Sequence, residues 1–120
     1  MHVCPTGAIK LLNQNDICKA LASAAYGVLS TFNKGKVSYV SFAKDITQYC
    51  DCLPSPGKVT MDDIGIFASK SAVSIDGAFL QIADYRIFND AYDIDCMLQV
   101  EETKKLGIEG KVNPKIVKLD

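Results

Sequence analysis

The sequence predicts an α/β domain, a small sheet of about three strands packed by about three helices. Three observations carry that expectation. Apolar residues recur at helical spacing between residues 16 and 32, two short β-branched and aromatic runs follow, and helical patterns return after residue 70. Helices and strands that alternate along a chain favour a layered arrangement. The 120 residues suffice for one domain, expected over 16–120, and 48% hydrophobic content suffices for a core.

The first helix is expected over about 16–32. Asn15 or Asp16 stands where a cap belongs, and Ile17, Leu21, Ala25, Val28, Leu29 and Phe32 form the stripe expected to face the core. Asn33 and Gly35 can end it. Val37–Phe42 (VSYVSF) reads as a strand. Residues 43–62, with Pro54, Pro56 and Gly57, look irregular; a loop of that length is functional or hides an element. Asp63–Ser69 (DIGIFAS) reads as a strand buried on both faces. Ser71 can cap a helix over about 72–88. A third helix, about 94–106, pairs Glu101 with Lys105 and stops at Gly107. Lys115–Leu119 (KIVKL) alternates like a final strand.

Thirteen basic residues against fourteen acidic give a net charge of −1, which provides no electrostatic reason to expect nucleic acid or an anionic membrane as partner. No apolar run approaches the ~18 residues of a membrane span, and no basic region followed by an apolar stretch opens the chain. Five cysteines are an odd set, and metal, redox or burial roles suit them better than a disulfide framework. The expected compartment is the cytoplasm.

Cys50, Asp51 and Cys52 form the best local constellation. In an extended segment residues two apart face the same side, so two thiolates could clasp a soft metal such as zinc or iron. Two sulfurs leave a tetrahedral shell half filled; Asp45 or Asp62 could add oxygen, and Cys96 or Cys4 a third sulfur. A redox pair and plain burial are the competing readings of the same motif.

Asp76 is the second candidate. On a helix its neighbours include Ala72, Val73, Phe79 and Leu80, so its carboxylate needs a partner or incurs a burial cost. It reads either as a ligand or acid–base group in the first turns, where the helix dipole favours it, or as a structural carboxylate bonded to the 43–62 loop, Lys44 or Lys70. Ser69, Lys70 and Ser71 follow a strand, where ligands often bind, though Ser71 is more simply a cap. His2 is the only histidine and lies near a terminus, so a Ser–His or Cys–His nucleophile pair has little to draw on. The five tyrosines read as core-edge aromatics.

Three stretches, VSFAKDITQYCDC, DIGIFASKSAVSIDGAFLQIAD and LQVEETKKLGIEG, together resemble the carboxy-terminal part of a family of iron–sulfur-centre proteins, domain of unknown function 362. Members commonly carry a ferredoxin-type segment ending in a pattern like VCPTGAI, here Val3–Ile9. The resemblance implies that residues 1–15 are the remnant of such a segment, that Cys4 is a surviving ligand, and that the intact protein holds an iron–sulfur cluster. A cubane cluster needs four cysteines, and the usual motif supplies three of them ahead of the Cys-Pro. The implied partner is therefore an upstream ferredoxin-type segment or subunit.

Three functional readings follow. The first is the carboxy-terminal domain of an iron–sulfur or redox-associated protein, with Cys50 and Cys52 as metal ligands, Asp45 and Asp76 beside them, and the 43–62 loop as working surface. The second is a non-catalytic interaction domain, with a homo-oligomer covering exposed apolar surface. The third is an enzyme with a pocket at the strand ends.

Overall fold

The computed structural model describes residues 13, 15–50 and 53–119. Along them run α1 (Asp16–Leu29), β1 (Tyr39–Ala43), β2 (Gly65–Ser69), α2 (Ala72–Ile82), α3 (Arg86–Tyr92) and α4 (Cys96–Lys105). The mixed helix-and-strand class holds, with two strands among the described residues where about three were expected, and four helices in place of three. Two causes account for the difference. Ala83 turns extended at ψ 146°, so the helix expected over 72–88 breaks into α2 and α3. Residues 115–119 join no strand; alternation alone makes no strand without a neighbour's ladder of hydrogen bonds.

Helix α1 ends at Leu29 and turns its other face inward. Cys18 and Ala22 are buried, while Ile17, Leu21, Val28 and Phe32 of the expected core stripe are exposed. Small residues let α1 lie close against α4, and the contact is locked at one end. The Asn15 side chain takes a hydrogen bond from the Asp95 amide at 2.9 Å, and the Cys18 thiol donates to the Asp95 carbonyl at 3.7 Å. Asn15 thus ties two helices together instead of capping its own.

Strands β1 and β2 pair antiparallel, Tyr39 opposite Ser69 and Ala43 opposite Gly65. Alternate residues face opposite sides. The side bearing Tyr39, Ser41, Ala43 and Phe67 is the more buried and meets α2; the side bearing Val40, Phe42, Ile66 and Ala68 is open. β2 is therefore covered on one face only, against the expectation of two, and Ile66 is 69% exposed.

The irregular 43–62 segment does hide an element. Thr47 bridges Val59, the Thr60 amide donates to the Ile46 carbonyl at 2.8 Å, and the Tyr49 amide donates to the Pro56 carbonyl at 3.2 Å. The β1–β2 pair thus continues as a loose ribbon. Its kink is Asp45, at φ 50°, whose amide donates to the Asp63 carboxylate at 2.9 Å.

The core gathers Val73, Leu80 and Val100, with Phe79, Tyr85, Met97, Ile108 and Val112 packed around them. Ser71 caps α2 as expected, accepting from the Ser74 amide at 3.1 Å. After Gly107, at φ +109°, the chain returns across α2, where the Lys111 amide donates to Ser74 Oγ at 2.9 Å.

Candidate functional site

The ribbon, α1 and α2 with α3 enclose an open groove of about 660 Å³. The outward stripe of α1 contributes Ile17 and Leu21 to one wall; Phe79, Leu80 and Phe88 contribute to another; Tyr49 and Leu53 come from the ribbon. Ring contacts stiffen the walls. Tyr49 meets Tyr92 edge-on with centroids 5.6 Å apart, and Phe79 lies tilted against Phe88 at 6.2 Å. Edge-on and tilted pairs are the favoured aromatic geometries.

Cys50 stands at this groove. It is exposed, and its amide donates to the Tyr92 hydroxyl at 2.6 Å, which holds the ribbon against α3. Cys4, Asp51 and Cys52 lie outside the described residues.

Asp76 also lines the groove, and borders a second, smaller cavity of about 50 Å³ under α1 and α4. It is the fifth residue of α2, beyond the first turn, where the helix dipole no longer favours its charge. The structural partners expected for it are taken. Lys44 Nζ meets the Asp45 carboxylate at 2.8 Å, and Lys70 Nζ donates to Ser38 Oγ at 2.7 Å. Among the described residues the Asp76 carboxylate has no hydrogen bond and no ion pair. By surface area Asp76 is exposed at the groove, and the apolar side chains beside it still push its pKa up by desolvation.

Asp45 does not join them. Its carboxylate points to Lys44 on the exposed kink of the ribbon, and it lines neither cavity. Of the expected metal-site residues, the structure brings Cys50 and Asp76 to one groove and leaves Asp45 out. Among the described residues no three cysteine, histidine, aspartate or glutamate side chains gather as a metal would need. The described donors therefore do not fit a closed tetrahedral zinc site.

Two further thiols reach the groove, Cys18 and Cys96. Burial, with the neighbouring Cys18 thiol and the Asp95 carboxylate adding to it, pushes Cys96 up to about 11. Burial raises Cys18 too, with Asp95 adding to it. Both are poor nucleophiles near neutrality. Sequence reasoning passed over Cys18, Tyr92, Phe88 and Gln99 as groove residues. The helical phase of Cys18, one position off the stripe expected to face the core, gave no sign that it faces inward.

No protein-family model matches the chain, and no curated protein or solved structure does. Among the described residues no helix is long and apolar enough to cross a membrane.

Proposed function

We propose that this chain is the carboxy-terminal domain of an iron–sulfur or redox-associated protein, and that the ribbon carrying Cys50 at the groove is its working surface. The observation that carries the reading is Cys50, the first thiol of the CDC run, exposed at the mouth of the groove and tethered there by Tyr92. In this reading the pair serves as two donors to a site completed by another segment or subunit, the implied ferredoxin-type partner. A sulfur-rich shell of that kind suits zinc or iron over magnesium or calcium. The test is elemental analysis of anaerobically purified protein, alone and with the Cys50→Ser/Cys52→Ser variant. The reading expects zinc or iron in the wild type and its loss in the variant, with the circular dichroism spectrum kept. Less than about a tenth of an equivalent in the wild type, with or without an added ferredoxin-type partner, counts against it.

The second reading, an interaction or self-association domain, is favoured by the open sheet face. Val40, Phe42 and Ile66 sit side by side across β1 and β2 and are all well exposed, and contiguous exposed apolar area marks contact surfaces. Sedimentation velocity of wild type and Phe42→Lys decides it: self-association abolished by the substitution supports the reading, and a monomer at every concentration defeats it.

A further inference from the structure

We propose that the groove binds a small apolar molecule carrying one protonated amine, with the ammonium seated against the Asp76 carboxylate. The proposal stands apart from any metal at Cys50. Its volume of about 660 Å³ falls in the ~300–1,000 Å³ range of small-molecule sites. Such sites combine apolar walls with a few polar groups that fix orientation, and this groove is built that way. Ile17, Leu21, Leu53, Phe79, Leu80 and Phe88 supply the walls.

The charge selects the ligand class. Asp76 is the one carboxylate among the described lining residues, and no lysine, arginine or histidine accompanies it. Asp76 is exposed at the groove wall, so water still reaches its carboxylate, but apolar neighbours flank it and no protein cation pairs with it. A ligand cation would supply the missing partner, whereas an anionic ligand would meet repulsion with nothing to offset it. One carboxylate suits one amine; a polyamine would leave further charges against hydrocarbon. Gln99, whose side-chain amide oxygen is an acceptor, lines both the groove and the small cavity that Asp76 borders. The edge-on Tyr49–Tyr92 pair and the Phe79–Phe88 pair suit a ring or short alkyl chain on the rest of the ligand.

The test uses the full chain, stripped with chelator, and three probes that share one ring system: 2-(1-naphthyl)ethylamine, 2-(1-naphthyl)ethanol and 1-naphthaleneacetate. Affinities are read by titration calorimetry at neutral pH. The expected order places the amine at least tenfold tighter than the alcohol, and the acid weakest. Asp76→Asn is expected to bring the amine down to the alcohol's affinity while leaving the alcohol unchanged. Leu53→Trp, which fills the groove without touching the charge, is expected to weaken amine and alcohol together. Equal affinity of wild type for amine and alcohol would overturn the proposal, as would a preference that survives Asp76→Asn. Failure of the amine to bind at millimolar concentration would overturn it as well. Metal content plays no part in these readouts, so they can fail while the Cys50–Cys52 reading stands, or the reverse.

Discussion

Gly77 lies in the middle of α2, where glycine is ordinarily a liability, and replacing it should nonetheless destabilise the protein. A Cβ built there would collide with the Val112 carbonyl oxygen and lie 3.0 Å from its carbonyl carbon. Carbon atoms prefer ~3.5–4.0 Å, so the returning segment must retreat by about 0.5–1 Å. It is not free to do so. Lys111 is hydrogen-bonded to Ser74, the Pro114 carbonyl accepts from Gln81 at 3.4 Å, and Gly110, at φ +153°, has no room for a side chain beside Ser71 and Val73. Overpacking of this kind costs ~1–3 kcal/mol, here near the upper end. Alanine's helical advantage over glycine returns about 1 kcal/mol. The expected net loss for Gly77→Ala is about 2 kcal/mol, or roughly 8 °C in Tm for a domain of this size. Gly27 in α1 supplies the control, because a Cβ there meets nothing within 4 Å. Gly27→Ala should therefore stabilise, by about 0.5–1 kcal/mol. The chain has no tryptophan, so urea unfolding is best followed by circular dichroism at 222 nm. If both substitutions stabilise, the 110–114 segment does not sit on α2 and the packing argument is wrong.

Three further outcomes follow from the groove and its supports. The Asp76 pKa is raised by desolvation, so the folded state holds its proton longer than the unfolded state. Stability is then greatest below the unfolded value near ~3.9, falls as pH climbs through the raised folded value, and levels off above it. Asp76→Asn should accordingly improve stability more at pH 7 than at pH 3.5 in urea titrations, and an equal effect at both would refute the unpaired carboxylate. With Cys96 pushed up to about 11, its alkylation by iodoacetamide should rise about tenfold per pH unit between 8 and 10; a plateau near pH 9, read by peptide mass spectrometry, would contradict its burial. Tyr92→Phe removes the acceptor of the Cys50 amide, worth ~0.5–1.5 kcal/mol, and should speed hydrogen exchange at that amide about fivefold with little change in Tm; unchanged exchange would mean that Tyr92 does not hold the ribbon.

Elements that rest on local signals were legible. Ser71 announced the start of α2 because a cap needs only a side-chain oxygen three residues ahead of an amide, and Gly107 marked the end of α4 because the chain turns through positive φ there. The facing of α1 was not legible. Its large apolar residues set the strongest periodicity, yet the face that packs is the one with Cys18 and Ala22, because close approach to α4 favours small side chains. A stripe picked out by large apolar side chains points away from such a contact. The missing strand at 115–119 was equally out of reach, since it depends on whether a distant segment provides a hydrogen-bond partner; the break at Ala83 has no marker in the sequence around it. At the site, the CDC run could be seen in the sequence but its company could not. Asp45 is adjacent to β1 and lost to Lys44, while Asp76, in the next element but one, shares the groove with Cys50.

The misfacing of α1 and the solitude of Asp76 have one origin. Ile17 and Leu21 are turned away from α4, and α2 presents Asp76, Phe79 and Leu80 toward the same space. Ile17 and Leu21, both exposed on the groove wall, leave hydrophobic free energy unused, at about 25 cal/mol per Å² of apolar surface left wet. The ionised Asp76, though exposed, is partly desolvated by its apolar neighbours and adds to that cost. Nothing in the backbone geometry requires the arrangement: a leucine at position 76 would pack against Leu21 and Leu80 at no loss to α2. A site that forgoes stability twice in one place, once in apolar exposure and once in an unpartnered charge, is what a surface built for another molecule looks like before that molecule arrives. The two features then make opposite demands that only an occupant both apolar and cationic meets at once. For that reason Asp76→Leu should raise stability while abolishing the preference for the amine probe, and a variant that gained stability yet kept that preference would separate the charge from the groove.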